Sequence, residues 1–170
     1  PEMFTTGFTM HAAEHAEPMN GLTMNWMAEM SARYRCILTG SFIAKENDCF
    51  YNRLVWMQPD GNYGLYNKRH LFRYAGEDAH YSPGNSRLVV SVNGWKLLLL
   101  ICYDLRFPVW SRQQPASSPE YDAIIYVANW PAARSHAWKT LLTARAIENQ
   151  CYVAGVNRIG TDGNGHHYQG

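Results

Sequence analysis

The sequence predicts a single α/β domain, and two observations indicate that class. Near the C-terminus, a helical period over residues 135–149 lies between two apolar, β-branched runs at 121–128 and 151–156. The order strand, helix, strand is typical of α/β layers. Hydrophobic residues make up 46% of the 170 residues, which is enough for one substantial core. We therefore expect residues 1–170 to form one domain.

The first predicted element is a surface helix over residues 20–33. Apolar side chains recur there at the spacing of one helix face, and Thr23 is the expected N-cap. The side chains that carry this period are Leu22, Trp26, Met27 and Met30.

Three strands are predicted to follow the helix. Residues 36–44 and 52–57 are rich in β-branched and aromatic residues, which favour strands. The second run ends at Pro59-Asp60-Gly61, a sequence typical of a tight turn. We therefore expect a hairpin that leads into a third strand at 63–67.

A second hairpin is predicted in the middle of the chain. Residues 86–92 alternate into Asn93-Gly94, a strong signal for a two-residue turn, and residues 95–101 resume as a buried strand. The strand leads directly into Cys102. Residues 112–120, with two prolines and two serines, are expected to form a loop.

Charge and hydropathy argue against nucleic-acid and membrane partners. Fifteen Lys and Arg against 14 Asp and Glu give a net charge of +1, which offers no basic surface for a polyanion. The longest apolar run, residues 97–102, is too short to cross a bilayer, and no N-terminal export segment is evident. We expect a soluble, cytoplasmic protein.

The spacing of cysteines and histidines does not favour a metal site. The cysteines form no C-x-x-C pair, which favours free thiols in a reducing compartment. The adjacent rings of His166 and His167 would lie on opposite sides of an extended chain, so they are poorly placed to share a metal. We expect no metal ligands. The four cysteines are Cys36, Cys49, Cys102 and Cys151.

Cys102 is the first candidate for chemistry. Because it follows a buried strand, its side chain could emerge at the carboxyl edge of a sheet, where α/β proteins commonly place their ligands. The alternative is a packed core cysteine, since free cysteine is among the most often buried residues. The strand context alone leaves both interpretations open.

Glu2 and Lys68 are candidates only in combination with Cys102. A thiol needs a nearby base or cation to become a thiolate at neutral pH. On local evidence alone, Lys68 is more simply explained as a solvated charge near a hairpin and Glu2 as an ordinary terminal carboxylate. Arg106 could clamp a substrate carboxylate or pair with Asp104.

Three segments together resemble, in the same order, the active-site segments of nitrilase-superfamily amidases. Further segments also resemble the family, so that the similarity covers nearly the whole chain and is closest to bacterial omega-amidases. The first three are PEMFTTGF at 1–8, NKRHLF at 67–72 and ICYDLRFP at 101–108; the others are ANWP at 128–131, TARAIEN at 143–149 and YVAGVNR at 152–158.

The resemblance implies a four-layer α-β-β-α sandwich that pairs into a homodimer and uses no metal or organic cofactor. Family members usually have a strand before the glutamate segment, and a hairpin and C-terminal segment after the region that corresponds to residues 160–170. Neither is evident here. We therefore expect the chain to be part of a longer protein, with its sandwich incomplete.

The resemblance also implies roles for individual residues. Glu2 would be the general base, Cys102 the nucleophile, and Lys68 the cation that stabilises the oxyanion with the backbone N–H of Tyr103. Glu77 matches the family's second glutamate, which positions the lysine or the water.

The resemblance implies a small amide as substrate, with the ω-amide of a 2-oxo acid as the leading hypothesis. Arg106 is our candidate for binding the substrate carboxylate, with Trp130 and Tyr103 shaping a short pocket. A nitrilase or an N-carbamoyl amide hydrolase would share the triad and differ in the pocket. A catalytically silent scaffold, with Cys102 in its core, is the alternative from another class.

Overall fold

The computed structural model describes residues 1–114 and 117–170, and the chain divides into two compact units. One unit comprises Glu2–Ser86, and the other comprises Arg87–Gly170 together with Pro1. We call them the N-terminal and the C-terminal unit and describe each by itself. The assignment of residues 1–170 to a single domain stays a prediction.

The N-terminal unit consists of an antiparallel sheet with helices from the segments that precede it. The strand order is β1-β2-β3, and each strand is antiparallel to its neighbour. Short 3-10 turns follow at Arg73–Ala75 and Glu77–Ala79. The elements are α1 (Ala12–His15), α2 (Leu22–Tyr34), β1 (Leu38–Glu46), β2 (Cys49–Met57) and β3 (Tyr63–Asn67).

The first hairpin is longer than the sequence pattern predicts. Asn47 and Asp48 both have positive φ, at 47° and 62°, so they form the two-residue turn that suits the twist of paired strands. The predicted strands stopped at residue 44 and resumed at 52, because the polar and charged residues between them weaken the strand pattern. The third strand lies at Tyr63–Asn67, as predicted.

Helix α2 is confirmed, but its predicted cap is wrong. Gly21 is the N-cap residue. The Glu17 carboxylate caps the helix from outside, accepting the Thr23 backbone N–H at 2.7 Å and the Thr23 hydroxyl. The buried face carries Met24 and Met27, whereas Leu22 and Trp26 are exposed.

The C-terminal unit contains a mixed sheet in the order β4-β5-β6-β7 and a separate two-stranded sheet, β8-β9. Strand β4 is antiparallel to β5, and β5, β6 and β7 run parallel. There are 3-10 turns at Cys102–Arg106 and Ala132–Arg134. The elements are β4 (Leu88–Val92), β5 (Trp95–Ile101), α3 (Pro108–Ser111), β6 (Ala123–Ala128), α4 (Ser135–Asn149), β7 (Tyr152–Asn157), β8 (Ile159–Thr161) and β9 (His167–Gln169).

The main sequence predictions for this unit are confirmed. Asn93 and Gly94 form the turn between β4 and β5, both with positive φ, and α4 has the predicted bounds. Residues 112–114 and 117–120 lie outside helices and strands, as expected of a loop, whereas Pro115 and Ala116 lie outside the described residues. The predicted α/β class is therefore confirmed.

The strands of this sheet pack through a strongly apolar central layer. The four residues from Leu98 to Ile101 in β5, and Ile124 and Tyr126 in β6, are fully buried. Strands buried on both faces read as continuous apolar runs, which is how β5 and β6 read in the sequence. In the part of the chain that the structure describes, no helix has the length and apolar character required to span a bilayer.

Candidate active site

Three predicted site residues of the N-terminal unit form a buried charged cluster. The Lys68 ammonium lies 2.8 Å from Glu2 Oε1, 2.8 Å from Glu77 Oε2 and 3.1 Å from Glu77 Oε1. Each of the three side chains is at most 1% exposed. The alternatives of a solvated lysine and an ordinary terminal carboxylate are therefore wrong for Lys68 and Glu2.

Glu2 is held in place by the backbone that follows it. The Met3 N–H donates to Ser41 Oγ at 2.8 Å, and the Phe4 N–H donates to the Ser41 carbonyl at 2.9 Å. Met3 has a φ of 40° and is fully buried. These contacts fix the Glu2 segment against strand β1.

Lys68 follows β3 directly, and its main chain is fixed on both sides. Its N–H donates to the Asn52 carbonyl, and its carbonyl accepts the N–H of Gly84, both at 2.9 Å. Gly84 allows this close approach, because a Cβ at that position would lie 2.2 Å from the Asn67 carbonyl oxygen. The ammonium lies 5.3 Å from the centroid of the Phe8 ring.

Glu77 accepts several hydrogen bonds besides those of the lysine. It begins a 3-10 turn, and the Phe72 N–H donates to its Oε2 at 2.6 Å. Burial raises the pKa of the Glu77 carboxyl, the Lys68 ammonium opposes that rise, and the Glu2 carboxylate adds to it. In this cluster the Lys68 ammonium therefore contacts both carboxyl groups, and each charge affects the other two.

In the C-terminal unit, Cys102 lies where β5 ends and a 3-10 turn begins. It has a φ of 42°, in the left-handed region that L side chains rarely adopt, and it is 9% exposed. Because β5 and β6 are parallel, the residue lies at the carboxyl end of parallel strands, where α/β proteins commonly place ligands. A strained, non-glycine residue at such an edge is typical of a functional position.

The turn that contains Cys102 is fixed by buried polar contacts. The Asp104 carboxylate accepts the Ile101 N–H at 3.1 Å. From helix α4, Arg145 donates to the Leu105 carbonyl through Nε at 3.1 Å and Nη2 at 2.7 Å. Arg145 is itself buried and paired with Glu148 at 2.9 Å. The backbone around Cys102 is therefore held from both sides of the turn.

The structure brings two of the predicted pocket residues together. The exposed Arg106 guanidinium lies 5.2 Å from the centroid of the buried Trp130 ring. The Trp130 indole N–H donates to the Arg134 carbonyl at 2.9 Å, and its ring lies 5.2 Å from that of Trp138. Tyr103 is half-buried and packs edge-on against Phe107.

The structure therefore groups Glu2, Lys68 and Glu77 in one unit, and Cys102, Tyr103 and Arg106 on one turn of the other. Their catalytic and binding roles stay predictions. No group of three or more potential metal ligands occurs among residues 1–114 and 117–170. The four free thiols, all within those ranges, include Cys102.

Sequence reasoning missed two buried polar residues that contact these groups. Asn52 contacts both carboxylates of the cluster, and Arg145 contacts the Cys102 turn. A signal was present for Asn52, because an amide within the apolar run 52–57 needs a polar partner. Arg145 lies in helix α4, and the apolar period that predicts this helix does not indicate that one of its charged residues is buried.

Comparison with known proteins assigns the family. The model of the carbon-nitrogen hydrolase family matches residues 1–170. The chain is 55% identical to omega-amidase YafV of Yersinia enterocolitica over 170 residues, covering 100% of this chain and 64% of the relative. It is 33% identical to 2-oxoglutaramate amidase of Bacillus subtilis, covering 95% and 63%. The chain thus spans less than two thirds of the length of these relatives.

Solved structures agree with this assignment. A CN-hydrolase superfamily protein from Xanthomonas campestris, whose active site carries an arsenic adduct, is 47% identical and superposes with a TM-score of 0.95 over 99% of this chain and 65% of that one. An amidase from Nesterenkonia sp., at 23% identity, shares the fold with a TM-score of 0.84 over 100% of this chain and 65% of that chain. The resemblance to the nitrilase superfamily is confirmed, and the chain belongs to the carbon-nitrogen hydrolase family.

Proposed function

We propose that the protein hydrolyses the ω-amide of a small 2-oxo acid to the acid and ammonia, through a thioester on Cys102. The buried Glu2–Lys68–Glu77 cluster is the observation that carries this proposal. A buried ion pair is often no more stabilising than apolar residues of similar volume, and clusters of buried titratable groups are common at functional sites. The names of two relatives, an omega-amidase at 55% identity and a 2-oxoglutaramate amidase at 33%, support this substrate class.

The proposed reaction has two halves. Glu2 accepts the proton of the Cys102 thiol, and the sulfur attacks the amide carbonyl carbon. Lys68 and the Tyr103 backbone N–H stabilise the oxyanion. The amide nitrogen takes up the proton and leaves as ammonia, so a thioester remains. Water, deprotonated by Glu2, then attacks the thioester and releases the acid and the thiol.

Both kinds of catalytic group are needed because an amide is a poor electrophile. The reaction requires an activated nucleophile and charge stabilisation at the developing oxyanion. A carboxylate and an ammonium at 2.8 Å provide a base and a cation in a water-poor environment, where each acts more strongly than in bulk solvent. We assign Glu77, which contacts Lys68 through both oxygens, to positioning the lysine or the water.

Arg106 is proposed to bind the carboxylate of the substrate. Its guanidinium is exposed and lies over Trp130, which leaves the edge of the planar fork available for bidentate binding. Replacing Arg106 with lysine is expected to raise KM roughly tenfold for an anionic ω-amide, and much less for a neutral amide of the same length. Steady-state kinetics with both substrates checks this, and equal effects would contradict the assignment.

A substrate panel tests the proposed function. Ammonia release is measured at neutral pH from 2-oxoglutaramate, a short nitrile and an N-carbamoyl amino acid. Preferential turnover of 2-oxoglutaramate supports the proposal. Preference for the nitrile would indicate a nitrilase, and preference for the carbamoyl compound an N-carbamoyl amide hydrolase. No turnover of any of the three would favour a silent scaffold.

We also propose a cytoplasmic homodimer. The four free thiols are compatible with a reducing compartment. Ile147 and Tyr152 of the C-terminal unit are each 71% exposed, as expected of apolar residues that a partner covers. Sedimentation of the purified protein, with a charged substitution at Ile147 for comparison, tests the dimer.

A further inference from the structure

Asn52 lies among the charged groups of the buried cluster. Its side-chain NH₂ donates to Glu2 Oε1 at 2.8 Å and to Glu77 Oε1 at 3.3 Å. The residue is fully buried in strand β2. One nitrogen therefore joins the two carboxylates that Lys68 also joins.

The carbonyl end of this amide makes Asn52 costly to bury. Among the described residues, the Asn52 Oδ1 atom has no hydrogen-bond partner. A buried carbonyl without a partner costs stability, and an apolar side chain would avoid that cost. Leu54, two residues further along the strand and therefore on the same face, is fully buried, so this face accommodates an apolar side chain. The NH₂ donors are thus the reason that an amide occupies this position.

The charge balance of the cluster explains the need for such donors. Two carboxylates share one ammonium, and burial raises the pKa of Glu77. A neutral amide supplies two further N–H donors to these carboxylates and adds no charge to the cluster. Burial, and then the negative charges of Glu77 and Glu2, raise the pKa of the Tyr81 phenol. Its hydroxyl donates to the Thr9 carbonyl.

The main chain of Asn52 fixes the third member of the cluster. Its carbonyl accepts the Lys68 N–H at 2.9 Å, and the β2–β3 register pairs Arg53 with Asn67 directly beside them. A single residue therefore holds the lysine through its backbone and both carboxylates through its side chain.

We propose that Asn52 is a positioning residue whose NH₂ donors hold Glu2 in the orientation that its role as general base requires. The inference rests on the proposed function of Glu2. A residue with only a packing role would change the amount of folded protein but not the pH at which the base becomes active.

Two variants test this proposal in the purified protein. Asn52→Leu removes both donors and keeps the branched shape of the side chain, and Asn52→Asp replaces the NH₂ by an acidic oxygen at nearly unchanged size. The control is Asn149→Leu, because Asn149 is also buried but its amide contacts the Arg145 carbonyl instead. The measurements are kcat/KM for 2-oxoglutaramate against pH and the rate of Cys102 alkylation by iodoacetamide against pH. Thermal unfolding of each variant corrects for the folded fraction.

The acidic limb of both profiles is expected to move to higher pH by about one unit in Asn52→Leu, because the carboxylate that acts as the base has lost its N–H donors. Asn52→Asp should move it further, since a third carboxyl is added. Asn149→Leu should leave it in place. If the turnover of the parent depends on Cys102 but the acidic limb does not move in either Asn52 variant, the role of Asn52 is overturned and the proposed function is not. A parent whose turnover does not depend on Cys102 overturns the proposed function as well.

Discussion

Replacing Cys102 with alanine is expected to lower ammonia release by at least roughly four orders of magnitude, because the nucleophile is removed and only the oxyanion-stabilising groups remain. The thermal unfolding of the variant should change little, since Cys102 lies at a strand end and loses only one sulfur atom. Steady-state ammonia release and thermal unfolding measure the two effects separately.

The left-handed backbone of Cys102 provides a control for this experiment. With a φ of 42°, a residue that has a Cβ is strained at this position, and glycine is not. Cys102→Gly should therefore be as inactive as Cys102→Ala, and its thermal unfolding temperature should be at least as high as that of Cys102→Ala. If the alanine variant retained more than a tenth of the parent's activity, Cys102 would not be the nucleophile. The result would then favour the alternative that Cys102 is a packed core residue.

The second large effect is expected when Lys68 is replaced by methionine, which has a similar length and no charge. The two buried carboxylates then lose the ammonium that lies at hydrogen-bond distance from both of them. Breaking a buried ion pair from one side costs about 3–5 kcal/mol. The free energy of unfolding at neutral pH should fall by that amount, and kcat should fall roughly 100- to 1000-fold through loss of oxyanion stabilisation.

The stability loss should depend on pH. Burial already raises the pKa of Glu77 above its ordinary value, and removal of the ammonium that opposes this shift raises it further. A carboxyl with a raised pKa in the folded state favours folding below its unfolded pKa, near about pH 4, and this contribution is lost as the pH rises through the folded value. The deficit of Lys68→Met should therefore be small near about pH 4 and complete near about pH 7.

Two further variants test whether lost charge or lost packing causes the loss of stability in Lys68→Met. Lys45→Met removes a half-exposed lysine that lies 3.8 Å from Asp48, and it should change the unfolding free energy little at any pH. Adding Glu77→Gln to Lys68→Met should recover stability at neutral pH without restoring turnover. A Lys68→Met deficit that stayed constant from about pH 4 to about pH 7 would show that packing, and not charge, explains the loss.

The fold was predictable from the sequence where local signals and tertiary packing agree. The Asn93-Gly94 turn, strand β5 and helix α4 follow from turn chemistry and apolar period. The N-cap of α2 was not predictable in this way. Glu17 supplies it from five residues before the helix begins, and only the folded chain shows that its carboxylate reaches Thr23.

The same distinction applies to the candidate site. Resemblance to the family singled out Glu2, Lys68, Glu77 and Cys102, but local context alone would have assigned Glu2 and Lys68 to the surface. Their burial depends on contacts between residues 66 positions apart, which no local pattern encodes. Asn52 and Arg145 were missed because their importance lies in which groups they contact, and not in the chemistry of their own side chains.

The central claim is that Cys102 forms a thioester with the substrate. The most direct test is rapid acid quenching of the protein during turnover of 2-oxoglutaramate, followed by mass spectrometry of the Cys102 peptide. We predict a mass increase equal to the acyl group of the substrate on Cys102, and none on Cys36, Cys49 or Cys151. Ammonia release with no acyl adduct on Cys102, or with the adduct on another cysteine, would contradict the account.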